Sequence, residues 1–183
     1  MPVLPPSNFT EIISETEIST KITEIASGIN EWITSLKLES NKDIVAMPIM
    51  RGAIYFFSDL SRELSHSIEI VPARTWGYVV NQENEKAIEM KIDLAGFDPK
   101  GKTILLVDEI CDSGRTLKLL SEKLLDKGAK IIRSTTLVHR MVPDLIFSPD
   151  WVGFELEAND WLVGYGMDDS DRFRNLKSIY KKL

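Results

Sequence analysis

The stretch "ILLVDEICDSGRTL" brings several residues that could do chemistry within a few positions of one another. Asp108 and Glu109 follow an apolar run, Asp112 comes three residues later, and Ser113 and Gly114 are next. Carboxylates accept hydrogen bonds from sugar hydroxyls and bind divalent cations. Glycine lets the backbone approach a ligand, and hydroxyls beside the amides of a helix start can hold a phosphate. The stretch therefore predicts a ligand that carries a phosphate together with hydroxyl groups or a cation, such as a phosphosugar.

Apolar runs alternate with amphipathic segments on both sides of this stretch. Strands are predicted at "DIVAMPI", "IEIVPA", "KTILLVDEI" and "KIIRSTTLV", and helices at "EISTKITEIASGINEWITSL", "AIYFFSDLSREL" and "RTLKLLSEKLLDKG". This alternation predicts an α/β fold with an open, largely parallel sheet and right-handed crossovers. Ligands of such sheets bind at the carboxyl ends of the strands. The acidic pair ends a predicted strand, so it lies where a binding site is expected.

Composition limits the classes of protein that remain. A chain of 183 residues with 43 % hydrophobic content suits one globular domain with a substantial core. The lone Cys111 forms no internal disulfide, and no Cys/His cluster has metal-ligand spacing. The net charge of -6 argues against a nucleic-acid partner. Neither a membrane-spanning apolar stretch nor a signal-peptide pattern is found, so we expect a cytoplasmic protein without a membrane partner.

Three segments together resemble one enzyme family. "VDEICDSGRTL" resembles the phosphoribosyl pyrophosphate motif of type I phosphoribosyltransferases, and "MPIMRGAIYFFSDLSREL" resembles their pyrophosphate-loop segment. "WVGFELEANDWLVGYGMDDSDRFRNL" resembles the carboxyl-terminal hood of the hypoxanthine-guanine phosphoribosyltransferases. The likeness runs from about Asp43 to Leu176. It implies a type I phosphoribosyltransferase fold in one domain, 1–183, with a core at about 43–140 and a small hood from about 1–42 and 141–183.

The resemblance also implies an activity in purine salvage. Members of the family transfer the 5-phosphoribosyl group from phosphoribosyl pyrophosphate to N9 of a 6-oxopurine, which is hypoxanthine, guanine or xanthine. The products are the nucleoside 5'-monophosphate and pyrophosphate, and magnesium is required. A homodimer or homotetramer is expected, because family members are commonly dimers or tetramers.

Roles follow for the positions that match the family's motifs. Asp112 matches the carboxylate that faces N7 of the purine as a general base. Ribose and magnesium are assigned to Asp108 and Glu109, the 5-phosphate to Asp112, Ser113, Gly114, Arg115 and Thr116, and pyrophosphate to Arg51, Gly52 and Arg174. The hood contributes a further magnesium contact at Asp168 and purine contacts at Trp161 and Leu162. Asp169 and Asp171 are expected to be solvated surface charges.

Three positions depart from the family pattern. Glu109 makes the acidic pair Asp-Glu, where Glu-Asp or Asp-Asp is usual. Thr75 and Trp76 stand where the flexible loop usually carries Ser-Tyr, and the polar segment from Trp76 to Lys91 is predicted to close over the site. His139 stands where a lysine usually reads the 6-oxo group, and its neighbour Arg140 is an alternative donor.

Two other functions stay open on the sequence alone. One is a type I phosphoribosyltransferase that uses another base, such as uracil or orotate. The other is a regulatory protein that binds phosphoribosyl pyrophosphate without transferase activity. Such a regulator needs no general base and no leaving-group contacts, so Asp112, Asp168 and Arg174 favour an enzyme. Cys111, inside the motif, is expected to be a packing residue.

Overall fold

The computed structural model describes residues 4–36, 44–76, 91–94, 96–157 and 160–183. No helix within these ranges is long and apolar enough to cross a membrane. The elements, in chain order, are β1 Phe9–Ile13, α1 Glu15–Ser35, β2 Ile44–Met50, α2 Ile54–Glu63, β3 Glu69–Ile70, β4 Ala73–Trp76, β5 Lys91–Asp93, β6 Thr103–Cys111, α3 Arg115–Asp126, β7 Ile131–Arg140, β8 Trp151–Leu156, β9 Trp161–Val163 and β10 Ile179–Lys182.

A large, mostly parallel sheet forms the centre of the molecule. Within the described chain it has seven strands in the order β5-β4-β2-β6-β7-β8, with β3 added to β2. Only the β4–β5 pair is antiparallel among these pairings. The central strands β2 and β6 are buried over most of their length, as their continuous apolar runs predict for strands covered on both faces. The predicted α/β architecture is confirmed.

The helices cover the two faces of this sheet. α1 and α2 bury their apolar sides in one core cluster, and α3 buries its apolar side in the other. Ser14 and Glu17 form a capping box at the start of α1, which satisfies amides that the helix leaves unpaired. α3 ends at Asp126, and Gly128, which follows the C-cap Lys127, has the φ of +90° that is typical of the left-handed residue after a helix. The predicted helix boundaries therefore agree closely with the structure.

A small antiparallel sheet, here called the hood sheet, joins the two ends of the chain. It consists of β1, β10 and β9, in that order. The predicted hood range 141–183 also contains β8, which pairs with β7 in the large sheet. The predicted range 1–42 contains α1, which packs against α2 and β8. The hood sheet thus occupies only parts of both ranges.

Two local expectations differ from the structure. The single strand predicted at "IEIVPA" is split into β3 and β4, because Pro72 has no N–H to donate to a neighbouring strand. Thr75 and Trp76 lie in β4 instead of a loop, since they pair with Ile92 and Lys91 of β5. The Trp76 side chain and residues 77–90, where closure was predicted, lie outside the described residues.

Candidate active site

A cavity of about 720 Å³, here called the larger cavity, opens at the carboxyl ends of β2 and β6. α2 follows β2 on one face of the sheet, and α3 follows β6 on the other, so the connections diverge at this point. Ligands of open α/β sheets bind in such crevices. The larger cavity brings together most of the predicted site residues, namely Arg51, Gly52, Thr75, Asp108, Glu109, Asp112, Ser113, Gly114, Arg115, Thr116, Asp168 and Arg174.

The acidic pair forms the floor of this cavity. Asp108 is only 8 % exposed, and its Oδ1 accepts a hydrogen bond from the Glu109 amide at 3.1 Å. Burial raises the pKa of Asp108 well above its usual value, and the neighbouring Glu109 charge adds to the rise. Burial also raises the pKa of Glu109, while the Arg174 charge opposes that rise. Two crowded carboxyl groups of this kind favour a ligand that brings positive charge or hydroxyl donors.

The loop between β6 and α3 leaves the start of a helix open toward the cavity. Gly114 is the N-cap of α3 with φ of +78°, and a Cβ built there would lie 2.2 Å from the Phe147 carbonyl oxygen. Only glycine fits this position, and it leaves the first-turn amides of α3 without a capping side chain. The Ile146 amide donates to the Ser113 carbonyl oxygen at 2.9 Å, which fixes the loop against the segment after β7. The helix start can therefore receive an anion.

The opposite wall carries positive charge beside a tightly packed backbone. A Cβ built on Gly52 would lie 1.6 Å from Glu109 Oε1, so the Glu109 carboxyl group lies directly against this backbone. Arg174 donates from Nη1 to the Gly166 carbonyl oxygen at 2.6 Å, and its Nη2 lies 2.5 Å from Asp168 Oδ1. Arg174 and Arg51 both line the cavity. These two arginines bring positive charge to the wall of the cavity, where an anionic ligand can bind.

A second cavity of about 360 Å³, here called the smaller cavity, shares Asp112 and Ser113 with the larger one. Arg140 and Trp161 also line it. Arg140 Nε lies 2.7 Å from Asp112 Oδ1. Trp161 is 59 % exposed, and its indole Nε1 donates to the Asp168 carbonyl oxygen at 3.1 Å. The ring is therefore held at one edge while much of its surface stays available for stacking.

His139 and Leu162 lie differently from the other predicted purine contacts. His139 is 4 % exposed, and it is not among the described residues that line either cavity. Its Nε2 has no hydrogen-bond partner in the part of the chain that the structure describes. Leu162 is buried in the hood sheet, where it pairs with Lys181 of β10. At the end of β7 it is thus Arg140 whose side chain reaches the smaller cavity.

The carboxylates of the larger cavity are suited to magnesium. Among the residues that the structure describes, no group of three acidic, His or Cys side chains is arranged to hold a metal ion. Magnesium sites in phosphate-binding enzymes commonly use only one or two carboxylates, and the substrate's phosphates and water complete the coordination. Asp108 and Glu109 supply such a pair, and the Asp168 charge is close enough to add to the rise in the pKa of Glu109. The donor set fits this metal.

Several residues of the site carried no signal in the sequence. Asp171 is 67 % exposed, as expected of a solvated charge, and its Oδ1 also lies 2.5 Å from Arg51 Nη2. Asp144 and Asp160 line the smaller cavity, although Asp144 lies outside the segments that resemble the family and Asp160 has no assigned role in the hood segment. Cys111 is buried beside the site, as expected of a packing residue, and burial raises the pKa of its thiol to about 12.

Comparison with known proteins agrees with the fold. A family model described as "Phosphoribosyl transferase domain" matches residues 16–170. The protein is therefore of the phosphoribosyltransferase class. A hypoxanthine phosphoribosyltransferase of Haemophilus influenzae is 30 % identical over 171 residues, which is 93 % of both chains. One of Escherichia coli is 31 % identical over 175 residues, which is 94 % of both.

Solved structures lead to the same branch of the class. A hypoxanthine-guanine phosphoribosyltransferase of Bacillus anthracis superimposes with a TM-score of 0.78 at 26 % identity, over 95 % of this chain and 98 % of the other. A ternary substrates complex of a hypoxanthine phosphoribosyltransferase variant of Trypanosoma cruzi gives 0.81 at 25 % identity, over 94 % of each chain. The chain belongs to the hypoxanthine-guanine phosphoribosyltransferase family and is a transferase.

Proposed function

We propose that the protein transfers the 5-phosphoribosyl group of phosphoribosyl pyrophosphate to N9 of a 6-oxopurine, with magnesium. The products are the nucleoside 5'-monophosphate and pyrophosphate. The observation that carries this proposal is the pair of adjoining cavities that share Asp112. One is lined by carboxylates, a phosphate-type loop and arginines, and the other by Arg140 and an exposed Trp161. A phosphosugar and a flat base can therefore meet beside one carboxylate.

The larger cavity has a group for each part of the sugar substrate. The loop Asp112–Thr116 at the start of α3 holds the 5-phosphate through amides and hydroxyls. Asp108 and Glu109 accept hydrogen bonds from the ribose hydroxyls. Arg51, Arg174 and the Gly52 backbone bind the pyrophosphate. These contacts hold the sugar carbon C1 toward the smaller cavity.

Transfer breaks the bond between C1 and the pyrophosphate oxygen and forms a bond between C1 and N9. One proton must leave the base, and the Asp112 carboxylate accepts this proton from N7. General base catalysis of this kind contributes about 10²- to 10⁴-fold in rate. The departing pyrophosphate gains negative charge, and the fixed guanidinium of Arg174 stabilises that charge.

Arg140, which lines the smaller cavity, favours a 6-oxopurine over adenine. A guanidinium carries only donors, so Arg140 matches a 6-oxo group, which accepts, and opposes the 6-amino group of adenine, which donates. Trp161 stacks on the purine face. His139, which occupies the family's lysine position, is buried and lines neither cavity among the described residues, so Arg140 is the proposed contact for the 6-oxo group.

Magnesium is proposed as the cofactor because the acidic donor set fits it. Asp108, Glu109 and Asp168 would hold it together with the substrate's own oxygens. When bound, the ion neutralises phosphate charge and so assists departure of pyrophosphate. The cytoplasmic location and the homodimer or homotetramer stay predictions from the sequence.

The test is pyrophosphate release by the full chain with phosphoribosyl pyrophosphate and each of six bases: hypoxanthine, guanine, xanthine, adenine, uracil and orotate. We expect turnover with one or more 6-oxopurines, none with the pyrimidines, and loss of turnover when magnesium is chelated and restored on adding it back. Turnover with uracil or orotate instead would favour a type I phosphoribosyltransferase of another base. Tight binding of phosphoribosyl pyrophosphate without turnover of any base would favour a regulatory protein.

A further inference from the structure

Asp171 lies between the two arginines that line the larger cavity. Its Oδ1 is 2.5 Å from Arg51 Nη2 and 3.6 Å from Arg174 Nη2. A single carboxylate oxygen therefore faces both cations. The two arginines come from distant parts of the chain, one directly after β2 and the other before β10 in the hood. Through these two ion pairs, Asp171 connects the residue after β2 to the hood.

The turn that carries Asp171 holds the carboxylate in this place. Ser170 and Asp171 have φ values of +54° and +62°, which is the pattern of a tight hairpin turn. The bridge between Asp169 and Arg172 closes the turn with two hydrogen bonds of 3.1 Å. The Asp171 amide also donates to Asp168 Oδ2 at 2.8 Å. The backbone is fixed, while the Asp171 side chain is 67 % exposed and can turn away into solvent.

We propose that Asp171 is a counter-anion that pyrophosphate displaces, so that this residue sets the affinity of the site for its leaving group. The inference rests on the proposed function, which assigns both arginines to pyrophosphate. The Asp171 carboxylate neutralises in the unliganded protein the charge that pyrophosphate neutralises in the complex. It keeps the arginines in position and competes with pyrophosphate for them. The consequence is weaker binding of the substrate's pyrophosphate group and easier release of the product.

The effect of removing the charge follows from the exposure of the pair. Asp171 and Arg51 are each 67 % exposed, so the ion pair is weakened by solvent. Removing an exposed ion pair of this kind changes a dissociation constant by about two- to fivefold. Asn keeps the size of the side chain and tolerates a positive φ, so Asp171→Asn should keep the turn.

Asp169 provides a matched control in the same turn. Its carboxylate pairs with Lys182 at 2.8 Å. Asp169→Asn therefore makes the same change in net charge two residues away, without removing a contact to the pyrophosphate arginines. A general gain in anion affinity from lost negative charge would appear equally in both variants. A gain specific to the bridging carboxylate would appear only in Asp171→Asn.

The experiment measures the dissociation constant of inorganic pyrophosphate with magnesium by titration calorimetry, on the full chain and both variants. Circular dichroism melts establish that each variant is folded. We expect Asp171→Asn to bind pyrophosphate about two- to fivefold more tightly, and Asp169→Asn to bind it as the unaltered chain does. The gain should shrink as salt is added, because exposed charges are screened. In turnover, Asp171→Asn should lower the KM for phosphoribosyl pyrophosphate without raising kcat.

Three results would overturn the inference, and they differ from a failure of the proposed function. Unchanged or weaker binding by Asp171→Asn would make the carboxylate a plain positioning group. Equal gains in both variants would reduce it to general electrostatics. A misfolded Asp171→Asn would show that the turn depends on this ion pair, so that the carboxylate is structural and not displaceable. If the unaltered chain bound no pyrophosphate at all, the proposed function itself would lose its leaving-group site.

Discussion

Replacing Arg140 by methionine tests which residue reads the purine. Methionine has a similar length and no charge, so Arg140→Met removes the donors that line the smaller cavity while keeping much of the packing. The structure predicts that the base, and not the phosphoribosyl pyrophosphate, is bound more weakly. His139 is the alternative contact for the base, because it occupies the family's lysine position. Its side chain, however, is only 4 % exposed.

The magnitude follows from the hydrogen bond that is lost. A hydrogen bond from a charged donor contributes about 1.5 to 3 kcal/mol, which corresponds to about a 10- to 150-fold rise in the KM for hypoxanthine. The Nε contact of Arg140 with Asp112 Oδ1 at 2.7 Å is lost as well, but Asp112 is 63 % exposed, so this pair contributes at most about 1 kcal/mol. Arg140→Lys keeps the charge but loses the planar guanidinium group. Its KM for hypoxanthine should therefore lie between that of the unaltered chain and that of Arg140→Met.

Steady-state kinetics with hypoxanthine varied at saturating phosphoribosyl pyrophosphate measures this effect, and the reverse titration is the control. His139→Gln is the matched variant. We expect it to lower the melting temperature and leave the KM for hypoxanthine near that of the unaltered chain, because its side chain lines neither cavity among the described residues. A large rise in that KM for His139→Gln, with no rise for Arg140→Met, would refute this reasoning.

Two further predictions concern the phosphate loop and the acidic pair. Gly114→Ala should weaken binding of phosphoribosyl pyrophosphate and lower the free energy of unfolding measured in urea. The loss of stability should exceed the roughly 1 to 2 kcal/mol that a positive φ costs an ordinary residue, because the added Cβ would lie 2.2 Å from a carbonyl oxygen. Gly101→Ala is the control, since Gly101 has a φ of +73° and open space around it, and equal losses in the two variants would contradict the prediction. Burial, and after it the Glu109 charge, raises the pKa of Asp108 in the folded protein. The stability that protonated Asp108 provides is therefore complete at pH values below its usual pKa, and it is lost as the pH rises through the raised pKa. Asp108→Asn removes this loss, so its melting temperature should fall less than that of the unaltered chain as the pH rises from about 4 to 8, and parallel curves would count against the raised pKa.

The sequence predicted the elements whose pattern is local. The helical spacing of Ile18, Ile22, Ile25 and Ile29 gave α1, and these side chains are buried in the structure. The apolar run before Asp108 predicted β6, because a strand that is covered on both faces consists almost entirely of apolar residues. The acids, serine and glycine after that run line the larger cavity, because the carboxyl end of a buried parallel strand lies at the edge of the sheet where such cavities form.

Contacts between distant segments could not be predicted where no family motif connects them. β5 and β4 are short and partly polar, so their pairing has no periodic signature. His139 and Arg140 are neighbours on one strand, and neighbouring side chains point to opposite faces, so the choice of which one faces the cavity depends on the register of β7. The pair of Asp171 with Arg51 joins residues 120 positions apart, and although Asp171 lies in the hood segment, the pattern of that segment assigns it no partner.

The measurement that tests the central claim most directly is single-turnover formation of nucleoside monophosphate by Asp112→Asn. Phosphoribosyl pyrophosphate binding is measured in parallel, because Asp112 also belongs to the phosphate loop. We expect the rate of the chemical step to fall by about 10²- to 10⁴-fold, while the variant still binds phosphoribosyl pyrophosphate. A variant that turned over a 6-oxopurine at the rate of the unaltered chain would contradict the role of Asp112 as general base and, with it, the meeting of sugar and base at the point where the two cavities join.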